Sequence, residues 1–232
     1  MKIGFDVISD LYLSPEDSFN WENKATSLYC VIAGNVSSDV RTIVQTLAHL
    51  SRFYQGIFYI PGYLEYEDTL DVQSKTREIV NICNKIKNVA VLQNRIVIID
   101  GVAILGCNGW YGNATSEDPD FETELITEKY NDLMYLKNGI EKLQRHLDVK
   151  KIIIVTNSVP SKKFYFGEEP ESAEDEISPN MVLSVDKESK VTHWAFGTYK
   201  KIVDTTIDSI NYVNNPYLKL NPYWAKRIEI DI

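Results

Sequence analysis

Histidine is scarce in this chain: His49, His146 and His193 are the only three in 232 residues. Imidazole is the usual protein ligand for transition metals and the usual proton carrier near neutral pH, so a histidine-rich metal centre is excluded. Cysteine is as sparse. Cys30, Cys83 and Cys107 are far apart, odd in number and include no Cys-x-x-Cys pair. That spacing gives no support to a zinc site and reads as buried thiols in a reducing compartment. Basic charge is also short: 24 Lys and Arg stand against 33 Asp and Glu, a formal net charge of −9. Non-specific nucleic-acid binding needs basic surface to displace counterions, so the balance argues against it. A basic protein partner is compatible with it. No apolar run approaches the roughly 18 residues that cross a bilayer. The opening Met1-Lys2-Ile3-Gly4-Phe5-Asp6 places an acid where a secretion signal needs apolar residues, so a cytoplasmic location is expected.

What is present is an ordinary globular balance, 44% hydrophobic and 25% charged, enough for one large core. A single domain over residues 1–232 is expected. Apolar runs predict strands at 2–9, 28–33, 57–60, 89–92, 95–99, 102–105, 151–156, 191–196, 201–205, 209–213 and 227–232. Helical spacing predicts helices over about 38–54, 69–87 and 124–147, the first capped by Ser38-Asp39. A loop over 157–180 carries six acids and no base between Glu168 and Glu176. It reads as a solvated loop, or as a dock for a basic partner. Strands alternating with helices, then a strand-rich end, predict an α/β layered architecture.

Five polar stretches each follow a strand: Asp10-Leu11-Tyr12, Gly34-Asn35, Gly62-Tyr63-Leu64-Glu65, Thr156-Asn157-Ser158 and Gly197-Thr198-Tyr199-Lys200. Functional groups of α/β folds gather at the carboxyl ends of strands, so these five should lie together.

In order and spacing they resemble the motifs of the calcineurin-like metallophosphoesterases, small bacterial and phage members in particular: DxH, GDxxD, GNH with a following acid, a His after a strand, and GHxH. The loop Asn108-Gly109-Trp110-Tyr111 and the ending Tyr212-Val213-Asn214-Asn215-Pro216 are similar to the same proteins. The resemblance covers nearly the whole chain. It implies a four-layer α/β sandwich, two mixed β-sheets flanked by helices. It also implies where a two-metal phosphoesterase site would lie: Asp10, Tyr12, Asn35, Tyr63, Asn157, Thr198 and Lys200. Only Asp10 keeps the family residue. Asn35 stands for the bridging Asp, and Tyr12, Asn157, Thr198 and Lys200 stand for His ligands. Tyr63 stands for an Asn, and Leu64 for the His that protonates the leaving group.

A neutral amide is a weak ligand, a neutral phenol a poor one, and an ammonium repels a cation. No cofactor and no intact catalytic residue are therefore expected. The expected function is a pseudoenzyme that binds a protein or a phosphate-bearing ligand, with Asp10, Asn35, Tyr63, Asn108, Asn157, Tyr199 and Lys200 as candidate ligand-binding residues. The alternative is a weak phosphodiesterase or nuclease with one Mg²⁺ or Mn²⁺ on Asp10, Asn35, Glu65 and Asn157. Three narrower expectations follow. Lys200 occupies the old metal position and pairs with Asp10. Tyr12, Tyr63 and Tyr199 fill vacated volume or stack on a flat ligand. Residues 106–112 shape the pocket wall or cradle a phosphate.

Overall fold

The computed structural model describes residues 1–110, 118–160, 164, 189–217 and 222–232. Strands β1 (Lys2–Ile8), β2 (Tyr29–Ala33), β3 (Gly56–Ile60), β4 (Val89–Val91) and β11 (Lys226–Asp231) form one sheet in the order β11-β1-β2-β3-β4. Strands β5 (Arg95–Ile99), β6 (Val102–Cys107), β7 (Lys151–Thr156), β8 (Val191–Phe196), β9 (Val203–Ile207) and β10 (Ile210–Asn214) form a second, ordered β5-β6-β7-β8-β10-β9. Both sheets are mixed. Their central strands run parallel, while β11, β5 and β9 pair antiparallel with their neighbours.

Period-two alternation sorts the apolar side chains into layers. From β6 and β7, Val102, Ile104, Ile153 and Val155 turn toward Phe5, Val7, Val31 and Ala33 of the first sheet, making the core between the sheets. Ala103, Leu105, Ile152 and Ile154 turn the other way, onto Leu136 and Leu143 of helix α3 (Pro119–Arg145). On the far face of the first sheet, Ile8, Cys30 and Ile32 meet Ile43 and Leu47 of α1 (Val40–Leu50) and Ile79 of α2 (Val72–Cys83). Each such side chain contributes about 1.5–3 kcal/mol on burial. The result is four layers: helices, sheet, sheet, helix.

The expected architecture is therefore present, with two corrections of extent. The third helix begins at Pro119 rather than near Glu124. Asp118 caps it by accepting from the amides of Asp120 (3.0 Å) and Phe121 (3.1 Å), and Pro119 takes the first position, where no amide donor is needed. The predicted 201–205 strand lies at Val203–Ile207, because Asp208 and Ser209, both at positive φ, form the two-residue hairpin turn to β10. The three short strands after α2 do not stay together: β4 closes the first sheet, whereas β5 and β6 open the second. Cys30, Cys83 and Cys107 are buried free thiols. The acidic 168–176 stretch, and Tyr111 and Gly112 of the Gly-rich loop, fall outside the described residues. Among those described, no helix is long and apolar enough to cross a membrane.

Candidate functional site

The five stretches meet where the parallel strands of both sheets end. After β1 the chain keeps pairing with the segment after β2: the Asp10 amide donates to Gly34 O (3.0 Å), Tyr12 to Asn35 O (2.9 Å) and Leu13 to Val36 O (2.8 Å). Glycine permits the rest of the approach. A Cβ on Gly197 would lie 2.1 Å from Ala33 O, and one on Gly62 would lie 2.5 Å from the Asn35 amide nitrogen. No larger residue fits at either place without moving backbone.

Asp10 sits at the centre, 1% exposed. Its Oδ1 accepts from Asn35 Nδ2 (2.8 Å) and from the Thr198 amide (2.9 Å). Its Oδ2 is buried with no hydrogen-bond partner among the described residues. Burial pushes the carboxyl up from 3.8 to about 6. The Asn35 amide and then the Thr198 N–H oppose that rise, and Ser9 and the Tyr199 N–H add smaller opposing polarity.

The surrounding network fixes the direction of each amide. Asn35 Oδ1 accepts the Leu64 N–H (3.1 Å), so its Nδ2 must face Asp10, with Thr198 Oγ1 at 3.2 Å and the Tyr12 hydroxyl at 3.3 Å. Asn157 Nδ2 donates to Ala33 O (3.0 Å), while its Oδ1 accepts from Thr198 Oγ1 (2.8 Å) and the Tyr63 amide (3.1 Å). Asn108 stands one layer back. It donates to Pro61 O (3.0 Å), and its own carbonyl receives the Asn157 and Ser158 amides at 3.1 and 3.0 Å.

Glu65 is fully buried and accepts four donors. Oε1 takes the Val36 amide (2.6 Å) and the Tyr59 hydroxyl (2.8 Å), and Oε2 takes the Asn35 amide (3.1 Å) and the Gly62 amide (2.7 Å). A carboxylate offers about four lone-pair sites, so all are committed inside the protein. Burial raises its carboxyl and these donors counter the rise. Glu65 is thus the post that holds the Gly34-Asn35 and Gly62-Tyr63 turns together.

Asp10, Tyr12, Asn35 and Thr198 all have φ between 47° and 56°. A bulky side chain such as Tyr12 rarely adopts this left-handed conformation, and such residues concentrate at functional sites. Tyr12 and Tyr63 are 43% and 39% exposed and form the rim. Burial first, then the charges of Asp10 and Glu65, push the Tyr12 phenol up to about 12.

The structure brings Asp10, Tyr12, Asn35, Asn157, Thr198 and the Tyr63 and Leu64 backbones into one hydrogen-bonded network. Two expected members lie elsewhere. Lys200 is exposed and makes no ion pair with Asp10, because the turn at Thr198 sends the chain outward after it donates to Asp10. Tyr199 packs on Phe196 in the outer core and donates its hydroxyl to Phe164 O, so it does not line the rim. Two other polar residues buttress the site and were not foreseen. Asn214 accepts from Ser9 Oγ (2.9 Å) and donates to the carbonyls of Tyr199 and Lys201, both at 2.7 Å. Asp132, buried on α3, accepts from the Gly109 amide (2.8 Å) and Gln93 Nε2 (3.0 Å). Burial pushes its carboxyl up to about 7, opposed chiefly by the Gly109 N–H. An acid at a core-facing helical position, four residues before Leu136, was the available signal. The three histidines serve locally: His49 accepts the Trp21 amide (3.0 Å), His146 ends α3, and His193 bonds Thr192 (3.0 Å).

No family model matches the sequence. An uncharacterized protein of Acanthamoeba polyphaga mimivirus is 22% identical over 146 residues, 56% of this chain and 50% of its own length. The chain therefore spans about half the length of that curated relative. Among solved structures, the phosphopantetheinyl hydrolase of Mycobacterium tuberculosis superposes with a TM-score of 0.67 at 14% identity, covering 98% of this chain and 96% of its own. The fold is metallophosphoesterase-like. A Staphylococcus aureus protein assigned as a 5′-nucleotidase shares it, with a TM-score of 0.63 at 12% identity over 100% of this chain and 51% of that one.

A two-metal metallophosphoesterase centre requires anionic or imidazole ligands whose lone pairs face a common point. The residues here do not fit that requirement. The Asn35 amide presents N–H donors to Asp10, the Asn35 and Asn157 oxygens are bonded to protein donors, and Glu65 is saturated. Among the described residues, no group of three or more His, Cys, Asp or Glu converges.

Proposed function

We propose that this chain is a metallophosphoesterase-fold pseudoenzyme, retained to bind a protein or a phosphate-bearing ligand without turnover. The polarity of Asn35 carries this reading. At the position where the family bridges two cations with a carboxylate, the group turned to Asp10 is an amide donor, held so by Leu64 N–H on its oxygen. A donor cannot ligate a cation, and reversing the amide would set two acceptors against each other and strand the Leu64 amide, at about 1–3 kcal/mol for each unpaired group. The strained backbone at Asp10, Tyr12, Asn35 and Thr198 supports a working surface here rather than a decayed one.

The single-cation alternative draws less support. Mg²⁺ holds six oxygens near 2.1 Å, and of its four suggested ligands only Asp10 has an oxygen without a protein partner. The test is metal analysis of the purified protein together with hydrolysis of bis-p-nitrophenyl phosphate in Mn²⁺. Substoichiometric metal and no turnover are expected. Stoichiometric metal, or turnover abolished by Asp10→Ala, refutes the reading.

A further inference from the structure

The geometry points to a subsite for an organic cation, an ammonium or guanidinium group, at Asp10 Oδ2, beside the half-exposed Tyr12. The inference rests on the site being one of binding rather than turnover, and within that reading it favours a cationic ligand group over a phosphate.

Asp10 Oδ2 is an acceptor at the centre of the network, and among the described residues nothing donates a hydrogen bond to it. An unpaired buried acceptor costs about 1–3 kcal/mol, more when charged. Among the described residues, every polar group that touches Asp10 is neutral: Asn35 Nδ2 and the Thr198 amide on Oδ1, with Ser9 and the Tyr199 amide nearby. Among the described residues, Tyr12 and Tyr223 feel the Asp10 charge and Glu65 acts on the same Tyr12, and none of these is a cation. Lys200, the base nearest in sequence, is exposed and unpaired with Asp10. Among the described residues the centre thus holds an acid whose second oxygen is buried and unpaired, with no counter-charge. A cationic N–H donor supplies both missing elements at once. A neutral donor supplies one, and a phosphate supplies neither and adds like charge.

The cover matches the same class. Tyr12 is half-exposed, and its hydroxyl lies 3.3 Å from Asn35 Nδ2, the group that donates to Asp10 Oδ1. Tyr63 is half-exposed on the same network through its amide bond to Asn157. Aromatic faces beside a carboxylate attract ammonium and guanidinium ions, and a net charge of −9 draws cations toward the surface. Because Oδ2 is buried, a cation reaches it only when neighbouring side chains move.

The cation comes either from a free polyamine or from a Lys or Arg side chain on a basic protein. The chemistry at Asp10 is shared, and the experiment separates the sources. The full-length protein is titrated by NMR with n-butylammonium, methylguanidinium and, as the anion control, inorganic phosphate. Saturable shifts at the Thr198, Asn35 and Tyr12 amides are expected with the cations and not with phosphate. Asp10→Asn should weaken binding about tenfold or more. If Asp10→Asn fails to fold, Tyr12→Ala should weaken cation binding by about threefold or more through loss of the aromatic neighbour. Spermidine and a Lys/Arg-rich peptide, compared at equal ionic strength, then assign the source by whichever binds more tightly through Asp10. Absence of saturable cation shifts, equal affinity in Asp10→Asn, or saturation by phosphate instead would overturn the inference. Turnover with Mn²⁺ would sink the pseudoenzyme reading separately.

Discussion

Replacing Asp10 by Asn tests the electrostatics of the whole site. Burial lifts the Asp10 carboxyl from 3.8 to about 6. The sign follows from linkage. Below about pH 4 the folded and unfolded chains both hold the proton. Between about pH 4 and 6 the unfolded chain releases it and the folded one retains it, so stability falls as pH rises. Above about pH 6 the loss is complete, at about 3 kcal/mol. Asparagine carries no titrating proton. Its oxygen can keep the Asn35 and Thr198 donors, and its amide nitrogen takes the place of Oδ2, adding an unpaired donor whose cost is independent of pH. The stability difference between variant and wild type should therefore move in the variant's favour as pH rises. Roughly half of the full span, about 1.4 kcal/mol, falls between about pH 5 and 8. Urea unfolding followed by tryptophan fluorescence reads it, since Trp21 and Trp194 are fully buried. Other groups, Asp132 among them, titrate in both proteins and cancel. A difference that stays flat across this range, or grows against the variant, would refute the reasoning.

Glu65→Ala leaves four buried donors without an acceptor, and thermal unfolding should show a loss of at least about 3 kcal/mol. Gly197→Ala forces a methyl against Ala33 O. It should cost about 1–3 kcal/mol or more in urea unfolding. Lys200→Ala should change stability by less than about 0.5 kcal/mol in the same assay, as expected of an exposed residue outside the network. Mn²⁺ or Mg²⁺ in excess should leave the midpoint of thermal unfolding unchanged, because only a ligand bound by the folded state raises it.

Much of this arrangement could be read from residue pattern. A run such as Ile152-Ile153-Ile154-Val155, apolar at every position, is buried on both faces, and that alone calls for layers on either side of the sheet. Polar residues directly after such strands had to lie at one edge. The directions of side chains past the strand ends were not legible. Thr198 at φ 56° turns the chain, so Lys200 points to water and Tyr199 into the outer core, although a ligand-spacing pattern places both in the site. Glu65 looks in sequence like one more acid near a metal position. Only the convergence of four donors from three segments makes it structural. The sheet crossover between β4 and β5 is equally silent, since nothing in Gln93-Asn94 distinguishes a turn within one sheet from a passage between two.

The bonds of the Asp10 network span long stretches of chain: Thr198 lies 188 residues from Asp10 and 163 from Asn35, and Asn157 lies 124 from Ala33. Closing such loops is slow and entropically costly. These bonds can form only after both sheets have been built and brought face to face, so they belong to a late step of folding. Substitutions in the network should then leave the refolding rate nearly unchanged and accelerate unfolding. The strand-end cluster acts as a clasp between two sheets, made from the chain's own amides, a threonine hydroxyl and the carboxylates of Asp10 and Glu65.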